Sequence, residues 1–124
     1  MSLLHNECFP KKPWISKDFE ELQKSGAEII ASENAFIVWR VALDEAEIIT
    51  IGVRPKERRG GIATALLNLM EQELRKKGVK KIFLEVSKEN TAALRLYEEN
   101  KFAVIGTRPK YYDGVDAITM RKIL

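Results

Sequence analysis

The sequence predicts one α/β domain over residues 1–124, built on a mixed, mostly antiparallel sheet with a central parallel pair of strands and helices on both faces. Apolar, β-branched runs alternate with two stretches of helical periodicity, 61–77 and 91–99. A strand–helix–strand crossover makes its two strands parallel neighbours, whereas the short turns before and after it are typical of antiparallel hairpins. The length of 124 residues, with 45% apolar residues, suits a single core.

The N-terminal half begins with a short predicted helix at 17–24, for which Ser16 is the expected N-cap. Ser25-Gly26 ends that helix. The runs that follow are rich in β-branched residues and are interrupted by polar turns, which predicts three strands at 27–31, 35–42 and 46–53.

In the C-terminal half, the amphipathic helix over 61–77 is expected to end at Gly78. Beyond it the sequence predicts a strand, a helix and two further strands at 81–86, 91–99, 102–107 and 116–122. A short loop containing Tyr111 and Tyr112 is expected to join the last two strands.

Composition excludes several classes of protein. The net charge of +3 is mild compared with the concentrated charge of nucleic-acid-binding proteins. A lone cysteine, Cys8, cannot form an internal disulfide and favours a reducing cytoplasm. No apolar run approaches the roughly 20 residues that a membrane span needs. We therefore expect a cytoplasmic monomer or weak homodimer with no metal, no membrane contact and no direct nucleic-acid partner.

The turn between the third strand and the helix over 61–77 is rich in small residues. Gly60, Gly61 and Ala63 let a ligand approach the backbone closely, and the first N–H groups of the helix form an anion site. The turn lacks the lysine of a P-loop and the Gly-x-Gly-x-x-Gly of a dinucleotide site. A pyrophosphate fits this site. The alternative is a plain turn in which glycine only permits tight packing.

The residues Arg58-Arg59-Gly60-Gly61-Ile62-Ala63 match the pattern [Gln/Arg]-x-x-Gly-x-[Gly/Ala]. In this the chain resembles the GCN5-related N-acetyltransferase (GNAT) superfamily. Further matches at Leu84-Glu85-Val86, Asn90, Tyr97 and the pair Tyr111-Tyr112 make it similar to the ribosomal-protein-alanine N-acetyltransferase branch. The resemblance implies the GNAT fold, acetyl-coenzyme A as cofactor and direct acetyl transfer without an acyl-enzyme.

The resemblance also implies which residues hold the cofactor. The set combines the end of the third strand, the glycine-rich turn and the start of the last helix: Ile51, Gly52, Val53, Arg58, Arg59, Gly60, Gly61, Ile62, Ala63, Thr64 and Asn90. Asn90 would serve as the N-cap of that last helix, as a cofactor ligand, or as both. Gly52 is expected to mark a β-bulge that splays its strand from the 81–86 strand, or to be a packing accommodation.

Glu85 is implied as the general base and Tyr97 as the general acid, while Tyr111 and Tyr112 would line the acceptor groove. A carboxylate inside an apolar strand is costly unless it is paired, exposed or used. The alternatives are a glutamate that reaches solvent from the strand end and a tyrosine that fills the core. Adjacent residues of a regular strand point to opposite faces, so at most one of the two tyrosines is expected to touch the acceptor.

The chain departs from the family pattern in three places. Its N-terminal segment is short, so we expect the family's first strand and much of its first helix to be missing or reduced, which would expose a sheet edge. Asn100-Lys101-Phe102 replaces Leu-Gly-Phe, and Asn100 is expected to take the left-handed cap conformation. The compact loop around Asp113-Gly114 would alter the shape of the acceptor pocket.

The basicity of the amine helps to choose between an α-amine and lysine as the acceptor. A peptide α-amine has a pKa of about 7.8 and lysine about 10.4, so deprotonating lysine at neutral pH costs about 3.5 kcal/mol more. We therefore expect acetylation of a protein N-terminus, and the resemblance implies that of an N-terminal alanine of a small-subunit ribosomal protein. Lysine or a small-molecule amine is the alternative acceptor. A non-catalytic acyl-CoA-binding or RNA-binding domain is the alternative from another class.

Overall fold

The computed structural model describes residues 24, 26–54, 61–112 and 114–124, and of Tyr112 the backbone alone. Two helices are present, α1 (Ile62–Lys76) and α2 (Thr91–Glu99). The strands are β1 (Glu28–Ala31), β2 (Ala35–Ala42), β3 (Glu45–Val53), β4 (Lys81–Ser87), β5 (Ala103–Tyr112) and β6 (Val115–Ile123). They form one sheet in the order β1-β2-β3-β4-β6-β5.

The pairing of the strands agrees with the prediction. β3 and β4 are parallel, and the other neighbouring strands are antiparallel. Helices α1 and α2 lie within one residue of their predicted bounds. β5 is longer than predicted, because Tyr111 and Tyr112 belong to the strand and not to a loop. The helix predicted at 17–24 falls outside the described residues except for Lys24.

The core lies between one face of the sheet and the two helices. Helix α1 buries Leu67, Met70 and Leu74 completely, at the spacing of one helical face. Alternate residues of the strands, among them Ile37 and Ile82, meet them and are equally buried. Each such side chain contributes about 1.5–3 kcal/mol by leaving water.

The two described helices share that face of the sheet. Phe36 and Val38 alternate with the core residues of β2, so they point to the opposite face, yet both are fully buried. The remaining predicted helix, at 17–24, falls outside the described residues except for Lys24. β1 is at the sheet edge among the described strands.

Helix α1 stops as predicted at Gly78. The N–H of Gly78 donates to the Arg75 carbonyl (3.1 Å) and that of Val79 to the Leu74 carbonyl (3.0 Å), which is a Schellman motif. Gly78 has a φ of 77°, a value that glycine adopts without penalty.

Helix α2 ends with the same hydrogen bonds, but the residue at the left-handed position is Lys101, with a φ of 74°. Asn100, at φ −97°, is not left-handed, so that prediction was wrong. The reason is that Asn100 caps with its side chain, whose Nδ2 donates to the Leu96 carbonyl (2.8 Å). The same Nδ2 reaches Thr64 Oγ1 (3.4 Å), linking the end of α2 to the first turn of α1.

One ion pair joins α1 to β6 inside the core. Glu71 is 3% exposed, and its carboxylate oxygens lie 2.8 and 2.9 Å from Lys122 Nζ. Arg75, one helical turn further on, lies 3.5 Å from Glu71. A buried carboxylate requires such partners, because an unpaired charge in the core is strongly destabilising.

We predict that Lys101→Gly raises the free energy of unfolding by about 1 kcal/mol, because glycine lacks the β-carbon that strains the left-handed conformation. Urea denaturation followed by circular dichroism measures it. Lys101→Ala is the matched control, since it removes the long side chain but keeps the β-carbon. An equal gain in both variants would contradict the backbone explanation.

Candidate active site

The parallel strands β3 and β4 separate part-way along their length. Their paired residues are Glu45 with Lys81, Ala46 with Ile82 and Glu47 with Phe83, and the ladder ends there. From Ile48 onward β3 has β2 on one side and no β4 partner on the other. The predicted splaying of these two strands is therefore present in the structure.

The separation coincides with an extra residue in β3. Val38 of β2 faces Thr50, but the next residue, Trp39, faces Ile48, so Ile49 has no partner in β2. Such a β-bulge bends its strand and increases its twist. The prediction that Gly52 marks the bulge was wrong, because Gly52 keeps regular register with Phe36. The residue that breaks the register is the β-branched Ile49, which carries no bulge signature of its own.

A pocket of about 190 Å³ lies where the two strands part. Its walls come from β3, β4 and β5, and its lining residues are Glu47, Ile48, Ile49, Glu85 and Tyr111. Two of the predicted site residues, Glu85 and Tyr111, are thus brought together from positions 26 residues apart in the sequence.

Glu85 lies on the sheet face opposite the two helices. Its neighbours Leu84 and Val86 are buried in the core on the helix side, and strand alternation turns Glu85 the other way. The Glu85 side chain is only 25% exposed, and its Oε1 lies 2.8 Å from Nη2 of Arg108. The Glu85 carboxylate is therefore ion-paired with Arg108 at the pocket wall, and it is not a solvated charge at a strand end.

Arg108 also contacts the tyrosine of the pocket. Its guanidinium carbon lies 4.6 Å from the centroid of the Tyr111 ring, a cation–π distance. In a regular strand, residues three apart point to opposite faces and cannot meet in this way. β5 is irregular at this point, and this irregularity allows the contact.

The irregularity is a second bulge. Arg108 pairs with Ala117 and Tyr112 with Val115, so four steps along β5 face two steps along β6. Lys110 has a φ of 52°, and its N–H donates to Oδ1 of Asp116 (3.0 Å). The bulge thereby places Tyr111 on the same side as Arg108. The side chain of Tyr112 lies outside the described residues.

The start of helix α1 is open to a ligand. Gly61 precedes the helix with a φ of 81°, and the first intrahelical bond runs from the Ala65 N–H to the Gly61 carbonyl (3.0 Å). The N–H groups of residues 62–64 come before that bond, and no acidic residue lies in the first turn. Among the described residues, a β-carbon at Gly61 would meet nothing within 4 Å, and it is the φ of 81° that calls for glycine at this position.

The other predicted cofactor residues come from three further places in the chain. Arg58, Arg59 and Gly60 lie outside the described residues. Ile51 and Val53, on the freed part of β3, are half-buried against the core, and Gly52 between them is buried. Asn90 is the N-cap of α2, since its Oδ1 accepts the Ala93 N–H (3.1 Å).

Tyr97 does not share the pocket wall with Glu85. Its side chain is 5% exposed and packs edge-to-face on Phe102, with the ring centroids 5.6 Å apart, in the core on the helix side of the sheet. Glu85 and Tyr97 therefore lie on opposite faces of the sheet.

Four lining or contacting residues were missed from the sequence: Arg108, Glu47, Ile48 and Ile49. Pro109 was the available signal for Arg108, because a proline in a strand is confined to edges and bulges and so indicates a break in alternation. Ile48 and Ile49 offered no such signal, since they continue an ordinary apolar strand.

A sequence profile described as the acetyltransferase (GNAT) family matches residues 4–102. The chain belongs to the GNAT family of acetyltransferases. The [ribosomal protein bS18]-alanine N-acetyltransferase of Escherichia coli K12 is 37% identical over 109 residues, which cover 84% of this chain and 74% of that protein. The N-alpha-acetyltransferase RimI of Mycobacterium tuberculosis is 36% identical over 101 residues, covering 80% of this chain and 62% of that protein.

Solved structures agree with this membership. The crystal structure of the ribosomal-protein-S18-alanine N-acetyltransferase from E. coli superposes with a TM-score of 0.87 at 34% identity, covering 98% of this chain and 84% of that one. A GNAT acetyltransferase from Elizabethkingia anophelis with acetyl-CoA bound shares the fold, with a TM-score of 0.79 at 19% identity over 98% of this chain and 88% of that one. This GNAT chain is thus an N-acetyltransferase. Among the residues that the structure describes, no helix combines the length and apolar character needed to cross a membrane.

Proposed function

We propose that this GNAT enzyme transfers acetyl from acetyl-coenzyme A to the α-amine of a protein N-terminus, that of an N-terminal alanine of a small-subunit ribosomal protein. The observation that carries the proposal is the gap between β3 and β4 with Glu85 at its wall. The 37% identity to an E. coli enzyme named for such a substrate supports the choice of acceptor. A ribosomal-protein acceptor also puts the enzyme in the cytoplasm.

The donor would lie along the helix side of the gap. Three features support a diphosphate at the start of α1: N–H groups that precede the first intrahelical bond, a first turn without carboxylates, and open space at Gly61. Arg58, Arg59 and Gly60 complete the proposed site by their place in the motif. The arm of the donor would then run beside Ile51–Val53, where β3 has parted from β4, and reach toward Asn90. Acetyl-coenzyme A supplies an activated thioester carbon.

The acceptor would enter from the other face, through the pocket that Glu85 and Tyr111 line, with Tyr112 as its neighbour in the groove. Glu85 accepts a proton from the incoming ammonium, and the freed amine forms a bond to the acetyl carbon. The carbon–sulfur bond breaks as Tyr97 donates a proton to the departing sulfur from the helix side. The new amide nitrogen loses its second proton to solvent, and solvent returns a proton to the Tyr97 phenolate. A backbone N–H of β3 near Gly52 stabilises the transient oxyanion.

The gap explains how these two groups can serve one reaction. Glu85 and Tyr97 lie on opposite faces of the sheet, and a closed ladder between β3 and β4 would keep them apart. We propose that the reacting carbon lies at the gap, where the two groups serve it from opposite sides. A single carboxylate base deprotonates an α-ammonium more easily than a lysine ammonium, because deprotonating lysine at neutral pH costs about 3.5 kcal/mol more.

We predict that a peptide beginning with alanine is acetylated at its N-terminus at least ~10-fold faster, in kcat/KM, than the same peptide with a blocked N-terminus and an internal lysine. The more acidic α-ammonium loses its proton more readily to a carboxylate. Coenzyme A release gives the rate, and mass spectrometry of the product gives the position. Faster turnover of the blocked peptide or of small polyamines would overturn the proposed acceptor.

We predict that Gly61→Glu weakens acetyl-coenzyme A binding at least ~10-fold, because a carboxylate at the helix start repels the diphosphate. Isothermal titration calorimetry measures the affinity. Gly61→Ala is the matched control: it introduces the same backbone strain at a φ of 81° without charge and should bind close to normally. If Gly61→Glu and the wild type bound acetyl-coenzyme A with equal affinity, the diphosphate would have to bind elsewhere.

We predict that Glu85→Gln lowers kcat by about 10²- to 10⁴-fold, the usual contribution of a general base, and leaves the affinity for acetyl-coenzyme A unchanged. Steady-state kinetics with the alanine peptide and calorimetry with the donor separate the two effects. Glu73→Gln, on the exposed side of α1, is a control for the loss of one carboxylate. Normal kcat in Glu85→Gln would remove Glu85 as the base.

A further inference from the structure

Arg108 touches two walls of the pocket at once and has no part in the chemistry proposed above. We propose that Arg108 is a positioning residue that fixes the Glu85 carboxylate and the Tyr111 ring in the geometry needed for acetyl transfer, an inference that rests on the proposed function. Both of its contacts are recorded in the structure: 2.8 Å from Nη2 to Glu85 Oε1, and 4.6 Å from the guanidinium carbon to the Tyr111 centroid.

The two contacts are compatible because they use different parts of one planar group. N–H bonds in the plane of the guanidinium donate to the carboxylate, while its flat face covers the aromatic ring. A lysine ammonium is a point charge on a flexible stem and cannot meet both geometric requirements in this way. The arrangement therefore calls for arginine in particular, and not for positive charge alone.

Stability does not account for the arrangement. The Arg108 side chain is 54% exposed, and partly exposed ion pairs and cation–π contacts contribute little to the free energy of unfolding. What the contacts do fix is orientation. By holding Oε1, Arg108 restrains rotation of the carboxylate, and by covering Tyr111 it restrains the ring that forms the opposite wall of the acceptor pocket. A base that must meet an amine within hydrogen-bond reach depends on such restraint.

The backbone around Arg108 supports the same conclusion. Tyr111 reaches the side of Arg108 only because β5 carries two extra residues at this point, with Lys110 left-handed and its N–H held by Asp116. A non-glycine residue with positive φ is an unfavourable conformation that persists where surrounding contacts impose it. The bulge, the ion pair and the ring contact form one local unit that ends at the proposed base.

The test is Arg108→Met in the full chain. We expect kcat for the alanine peptide to fall about 10- to 100-fold, the scale on which misplacement of a catalytic group acts. The affinity for acetyl-coenzyme A and the thermal midpoint should stay close to those of the wild type. Arg108→Lys should recover only part of the loss. Arg75→Met, at the far end of α1, removes another half-exposed arginine and should leave kcat unchanged.

A double-mutant cycle shows whether Arg108 acts through Glu85. If it does, Arg108→Met should cost little further activity in a Glu85→Gln background, whereas multiplicative losses would overturn the inference. Side-chain NMR of Arg108 adds a readout that does not need turnover. Resolved guanidinium N–H signals that broaden in Glu85→Gln are expected, and a freely rotating guanidinium in the wild type would overturn the inference.

The failures are distinguishable. An active wild type with an equally active Arg108→Met variant overturns the role of Arg108 alone. A wild type that acetylates no amine in the peptide panel overturns the proposed function, and this inference with it.

Discussion

The pairing of β3 with β4 stops after three residue pairs, and the site depends on that interruption. In an unbroken sheet, each face is sealed from the other by hydrogen-bonded backbone. Here β3 carries one additional residue, Ile49, whose bulge bends the strand, and its ladder with the parallel neighbour β4 ends close by. In the proposed reaction, a group on the helix side and a group on the opposite side would act on the same atom at this point. The interruption costs a few ladder hydrogen bonds, which the proposed donor would replace.

A second bulge on the other side of β4 has a complementary effect. The first bulge lies where the pairing of β3 with β4 ends, short of Glu85, and the second turns Tyr111 toward Glu85. Between them β4 stays regular, since all seven of its residues are paired with β6. Glu85 therefore lies in the regular ladder between β4 and β6, and the pocket walls on either side of it come from the bulged strands β3 and β5. In many binding sites, a regular strand or helix supports the functional group, and loops or bulged strands shape the surrounding pocket.

The architecture could be predicted largely from sequence because it is set by local signals. Helical spacing marked α1 and α2, Gly78 marked a helix end, and a crossover between apolar strands required a parallel pair. The site was predicted less completely. Resemblance to the family named Glu85 and the tyrosine pair, but the bulges follow from register between strands that are distant in the sequence. The sequence suggested a bulge at Gly52 and not at Ile49, because glycine within a strand is the usual local sign of a bulge. Arg108 was missed, because its meeting with Tyr111 contradicts the alternation of a regular strand.

The cap of α2 shows a similar limit. Asn100 is a reasonable left-handed residue by composition, but its side-chain amide bonds the Leu96 carbonyl and the strained position passes to Lys101. Residue type alone could not show whether Asn100 or Lys101 takes the left-handed conformation. The last turn of a helix has carbonyl groups without intrahelical partners, and the position of the left-handed residue depends on which groups bond them.

The ion pair between Glu71 and Lys122 restricts how this chain can change over evolutionary time. Losing Glu71 leaves the Lys122 ammonium without its carboxylate, at a cost of about 3 kcal/mol, which is a large share of the stability of a small domain. Losing Lys122 leaves the buried Glu71 with only its longer contact to Arg75. Replacing both with apolar residues of matching volume would be nearly neutral, but that route passes through a poorly folded single mutant. The two positions, 51 residues apart, should therefore be inherited as a linked pair among descendants of this chain.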